Sequence, residues 1–338
     1  MSNVRDQILD YIKAAQGKAL QAGEEAVLAA CDIAYSRHLM GLPAFESAAA
    51  FEQYIALLAS CRLAGTPARE APSLNVHLTA YALATLNLAE TPHGATAKAF
   101  VQSQDWRWDL LIDPATLLPR WPWKYTHHSW RVSHWVGGAP SIIKSLWRIA
   151  PDLCAARGVP ATADVLAACD ALVDGRTGLL RTYKSDLIQF CFRQLYRLRH
   201  DPDAGDVGGI VHLHWVNYAE GRLPYKAHDG LYARSWKLMQ RKPFIEKVPY
   251  CLDFDIVQIV RTTAPAGAPL APEVLARAGE YAADILGFFK TGLNDGYALH
   301  KLPGALATVH ECALIRNEAQ PPELGAATVD IIKDAFWI

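Results

Sequence analysis

The stretch NVHLTAYALATLNLA, residues 75 to 89, opens with two polar side chains, Asn75 and His77, and continues through about ten mostly apolar positions. A helix with one wet face alternates polar and apolar residues every turn, so a segment apolar on nearly all sides is buried on nearly all sides. The same design returns as SHWVGGAPSIIKSLWRIA (133–150), KSDLIQFCFRQLYRL (184–198), YCLDFDIVQIV (250–260) and HKLPGALATVHECALI (300–315). Between these segments lie ordinary amphipathic ones. Phe51, Tyr54, Ile55, Leu58 and Cys61 recur at spacings of three and four, as do the apolar residues of 163–173 and 272–289. Asp-Gly pairs at 174–175, 229–230 and 295–296 supply turns between them. Alternating strand-like stretches are few and short, and the chain reads as all-α.

The 338 residues are 51% hydrophobic, enough for one large core. We therefore expect a single domain over 1–338, with 1–44 as an N-terminal helical extension packed on it. Within that extension Val4, Ile8, Tyr11, Ile12 and Ala15 share one helical face. Lys and Arg total 33 against 34 Asp and Glu. So balanced a charge provides no field to draw the chain to nucleic acid or to an anionic membrane, and a small-molecule substrate is the expected partner. No run reaches the roughly 18 apolar residues of a membrane span. The seven cysteines are odd in number, scattered and set in apolar patterns, as expected of reduced thiols in a cytoplasmic protein.

Alternation of all-round apolar and amphipathic helices suggests hairpins whose buried partners form an inner ring and whose wet partners form an outer one. In this the chain resembles the α/α-toroid superfold shared by six-hairpin glycosidases and polysaccharide lyases, terpenoid cyclases and protein prenyltransferases. The resemblance is architectural and covers most of 45–338. It implies that inner helices start at one end. Asn75, His77, Ser133, His134, Lys184, Asp186, Asp253, Asp255 and His300 would then gather at a common opening.

Asp253 and Asp255 are the leading catalytic candidates. A carboxylate at a helix start is satisfied by free N–H groups there, so one acid reads as a cap and the second is left unexplained. Two carboxyls in unlike surroundings equip a site to cleave glycosidic bonds, one as acid and one ionised, with Asp186 as a further base. Glu246, Tyr250, Asp295, His300, His134, His212 and His214 are candidate substrate-binding groups. Seven of the ten tryptophans fall between Trp106 and Trp147. Indole faces stack on sugar rings, and Trp135, beside His134, is the one expected to do so.

A metal site is not expected. His212 and His214 would share a metal on one face of a strand. Prenyltransferases of the superfold bind zinc through Asp, Cys and His, but their Asp-x-Cys order is reversed in Cys251-x-Asp253, with His300 or His310 to complete the set. Gly137-Gly138 and Gly208-Gly209 lack nucleotide-loop spacing, and Ser133 and Ser141 lack a nucleophile elbow. No cofactor is expected.

The function expected is therefore that of an intracellular carbohydrate-active enzyme, a glycoside hydrolase or lyase. The second reading is a terpenoid-type cyclase acting on an isoprenoid. Its D-x-D-D motif matches DFDI (253–256) except at the fourth position, where Ile256 stands. A non-catalytic glycan- or lipid-binding scaffold is the third.

Overall fold

A computed structural model describes residues 3–17, 22–67, 74–89, 93–113, 134–175, 177–180, 187, 190, 191, 194, 202–223, 228–264, 269–294 and 296–338. Among them are 15 α-helices and no strand. We number the helices α1 (Val4–Gly17), α2 (Glu24–Leu39), α3 (Ala48–Ala59), α4 (Val76–Asn87), α5 (Gly94–Gln102), α6 (Trp108–Leu111), α7 (Gly138–Ile149) and α8 (Pro151–Ala156). These are followed by α9 (Thr162–Cys169), α10 (Pro202–Ala219), α11 (His228–Met239), α12 (Cys251–Thr263), α13 (Pro272–Gly292), α14 (Leu302–Ile315) and α15 (Ile331–Ala335). None of them is long and apolar enough to cross a membrane.

The two kinds of apolar pattern give two kinds of helix. Every residue is buried from Leu78 to Asn87 on α4, from Leu252 to Val260 on α12 and from Leu302 to Ala313 on α14. On α13, by contrast, burial follows one stripe through Val274, Arg277, Ala278, Tyr281, Ala282, Ile285, Leu286 and Phe289, and the opposite face is exposed. Neighbours follow in a cycle: α2 packs on α4, α4 on α7, α7 on α10, α10 on α12, α12 on α14, and α14 back on α2. Outside it, α11 lies against α12 and α13 against α14.

Helix α1 docks through Val4, Ile8 and Ile12, and the Tyr11 hydroxyl donates to the Tyr297 carbonyl. Helix α2, also within 1–44, is a link of the cycle itself, with Cys31, Asp32, Tyr35 and Ser36 buried. That segment supplies core as well as covering it.

Two glycines set how closely the helix starts approach. A Cβ on Gly137 would sit 2.6 Å from the His212 carbonyl carbon, and one on Gly304 would sit 2.5 Å from the Cys251 Cα. No larger residue fits either crossing without moving backbone. At the far end of α12 and α14 a polar network closes the packing. Arg261 holds buried Glu311 through Nε and Nη2 at 2.5 and 3.0 Å, and also reaches Asp330 (3.1 Å) and the Tyr218 hydroxyl (2.9 Å). Five of the seven cysteines are buried, Cys251 is half-buried and Cys191 exposed, and all are free thiols.

Candidate active site

Helix α12 begins at a capping box. Asp253 Oδ2 accepts the backbone N–H of Tyr250 at 2.9 Å, while its Oδ1 accepts from Ile245 N at 3.1 Å and from the Tyr281 hydroxyl. Burial raises the carboxyl pKa, and these donors oppose that rise. Asp253 is fully buried and does not line the cavity described next.

Asp255, two residues on, points elsewhere because a helix turns about 200° over two positions. It lines a cavity of ≈ 210 Å³, and no hydrogen-bond partner among the described residues meets its Oδ1. Burial holds this carboxyl well above the ordinary carboxylate range, and the neighbouring Asp253 charge adds to the effect. Both effects favour the protonated form. Trp215, from α10, lines the same cavity, and its indole N–H is likewise buried without a partner. A buried donor and a buried acceptor left unspent within one cavity mark a place that a ligand completes.

His300 stands across the site, in the turn before α14. Its Nδ1 is 3.0 Å from Asp32 Oδ1, which also accepts the Tyr81 hydroxyl at 3.0 Å. Asp32 is 1% exposed, whereas the His300 side chain is 46% exposed and belongs to the cavity lining. Burial works against the His300 imidazolium, but the Asp32 hydrogen bond and charge outweigh it and the net shift is upward. Burial pushes Asp32 up, and the His300 hydrogen bond and charge oppose that rise. With Nδ1 committed to Asp32, Nε2 is the ring nitrogen left for chemistry.

Three further imidazoles meet in the wall. His77 comes from the first turn of α4, His134 from the residues before α7, and His212 from α10. The His77 and His134 rings stack at 4.2 Å and 16°, and His212 meets them edge-on at 5.5 and 4.8 Å. One ring nitrogen from each lies within 4.8 Å of the other two. The Trp337 indole N–H donates to His77 Nδ1 at 3.2 Å. Burial, and then the neighbouring imidazoles, depress the pKa of His77 and His212, so both are neutral near pH 7.

Of the residues picked out in the sequence, Asp255, His77, His134, His212, Tyr250 and His300 come together here. Others do not. Asp253 is the capping acid. His214 lies on the other side of α10, fully buried, its Nε2 2.7 Å from Thr262 Oγ1. Since the pair sits on a helix and not a strand, His212 and His214 point apart. Glu246 is exposed, and Asn75 caps α4 through Leu78 N at 2.9 Å. Trp135 is half-buried and outside the cavity lining. Ser133, Lys184, Asp186 and Asp295 lie outside the described residues, as do Trp121, Trp123 and Trp130.

The imagined zinc set of Cys251, Asp253 and His310 is not assembled. His310 Nε2 meets the Leu39 carbonyl (2.8 Å), its Nδ1 accepts from Val329 N (3.1 Å), and Asp253 is spent on its cap. Burial pushes the Cys251 thiol up, so the cavity sees it as a thiol. Among the described tryptophans of the rich stretch, Trp106 donates to the Val101 carbonyl and Trp147 to the Pro160 carbonyl, as packing residues do. Among the described residues, the tryptophan that lines the cavity is Trp215.

Sequence reading missed Asp32, Tyr81, Trp215 and Trp337. For Asp32 the signal was present: an acid inside the apolar run AVLAACDIAY (26–35), of the kind that singled out Asp255. No family model, curated protein or solved structure matches this chain. Fold and site thus define a class only, an all-α protein with a buried acid and a carboxylate-backed histidine in one cavity.

Proposed function

We propose that the cyclic order of helix contacts closes an α/α toroid and that the cavity cleaves an oligosaccharide by proton transfer. Asp255 is the general acid, His300 the general base, and Asp32 the residue that orients His300. The observation that carries this reading is Asp255 itself: a buried carboxyl whose Oδ1 has no partner among the described residues, in the same lining as a histidine held at Nδ1 by a second buried acid. Placement of one group able to give a proton and one able to take it is the requirement of acid–base catalysis.

Asp255 is the one carboxyl among the described cavity residues, which favours elimination over hydrolysis by paired carboxylates. In that reaction His300 removes the proton on the carbon next to a uronic acid carboxyl. The freed electron pair forms a carbon–carbon double bond, the glycosidic C–O bond breaks, and Asp255 protonates the departing oxygen. Neutral imidazoles, the Trp215 N–H and the Tyr81 and Tyr250 rings suit a substrate rich in hydroxyls.

Incubation with a panel of uronic acid and neutral oligosaccharides, read by mass spectrometry, tests this. Elimination products are lighter by one water than those of hydrolysis. We expect Asp255→Asn to lower kcat by about 10²–10⁴-fold. Retention of full activity by that variant would overturn the assignment. Binding of sugar without turnover by both wild type and variant would favour a scaffold. A single buried acid among aromatic rings also suits an isoprenoid cyclase, and conversion of an isoprenoid with no action on any sugar would select that reading.

A further inference from the structure

We propose that His77, His134 and His212 form a divalent transition-metal site, with zinc its preferred ion, in the wall of the cavity. Three separate elements deliver these imidazoles, and one nitrogen of each lies within 4.8 Å of the others. Three histidines and one open coordination position make the pattern of a catalytic zinc. Gly137 is what allows the turn carrying His134 to rest on the α10 backbone at His212, and any side chain there would drive the two ligands apart.

Ion entry rearranges the group in a defined way. Zinc bonds of about 2.0–2.1 Å in a tetrahedron bring ligand nitrogens to roughly 3.4 Å from one another, so the three rings close in. A metal lies in the plane of each imidazole it binds, so the 16° stack of His77 on His134 opens. His77 Nδ1 accepts the Trp337 N–H, which puts the His77 proton on Nε2. Coordination at Nδ1 displaces the indole, and coordination at Nε2 moves the proton to Nδ1, where it faces the indole N–H. In both cases the Trp337 bond is lost, and Trp337 competes with the ion. An ion here would supply positive charge to a cavity whose described lining has neither lysine nor arginine, where a substrate carboxylate would otherwise be unneutralised. That role rests on the elimination reading, whereas the site itself stands on the three imidazoles alone.

The test is a titration of chelator-treated full-length protein with Co²⁺, followed by visible absorption, with the fold checked by circular dichroism. We expect one ion per chain and the intense bands of a tetrahedral cobalt centre. His212→Gln and His134→Gln each weaken binding by about 100-fold or more, and Asp255→Asn leaves it within about threefold. Trp337→Phe, which removes the competing donor, tightens it several-fold. Absence of stoichiometric binding to folded wild-type protein would overturn the proposal, as would binding that survives both histidine variants. Neither result bears on Asp255 as an acid, which the activity of its own variant decides.

Discussion

On α12 the side chains of residues 253 and 255 project about 200° apart, and their surroundings divide them further. Asp253 accepts three hydrogen bonds from Tyr250, Ile245 and Tyr281. Asp253→Ala removes the cap and leaves buried donors unmet, and we expect it to destabilise the fold by roughly 1–3 kcal/mol in urea unfolding. Asp255 gives the opposite sign. Its folded pKa is raised by burial, so between the unfolded and folded pKa values the unfolded chain ionises this group and the folded chain does not. Folding takes up a proton, and the stability missing at pH 7 returns as pH falls toward the unfolded carboxyl pKa of about 3.9. Asp255→Asn is therefore expected to be more stable than wild type at pH 7, with the gap closing near pH 4. A variant less stable at pH 7 would count against the raised pKa. At His300 the Asp32 bond and charge produce the net upward shift. Since the base works neutral, Asp32→Asn should carry the acid limb of kcat/KM to lower pH and reduce kcat. A loss of kcat with no movement of that limb would mean that Asp32 acts only through packing.

At the scale of the helix, backbone approach decides which side chains meet. Gly137→Ala is expected to cost about 1–3 kcal/mol by overpacking and to part His134 from His212. Thermal unfolding measures the first effect and Co²⁺ affinity the second. Glu311 shares Arg261 between α12 and α14, and Glu311→Ala leaves the mostly buried guanidinium with one of its two carboxylates gone, Asp330 remaining. We expect a loss of about 3–5 kcal/mol in chemical denaturation. Helix identity was legible in the sequence because α4, α12 and α14 have no wet stripe, while α13 has one. Capping at residue 253 or 255 was legible too, though not which acid performed it: that depends on Tyr281 and Ile245, which approach from other elements. His212 and His214 would share a metal only on a strand, where a period of two puts both on one face; they stand on a helix, where it points them apart.

Across the whole molecule, the cavity is assembled from groups far apart in sequence. Asp32 on α2 holds His300 before α14, and Trp337 near the C-terminal end donates to His77 on α4. No local pattern records such meetings, which is why Trp337 escapes a reading that finds His77 and His300, while Asp32 shows only as an acid inside its apolar run. The cycle from α2 through α4, α7, α10, α12 and α14 back to α2 is what places these groups around one space. The proposed proton transfer requires Asp255 to hold its proton in that space. Carbon-13 NMR of side-chain carboxyls, titrated against pH and assigned with Asp255→Asn, measures this directly. We predict a resonance, absent from the variant, that stays at the protonated carboxyl position through pH 7; an Asp255 signal already at the carboxylate position there, titrating near the ordinary aspartate value, would contradict it.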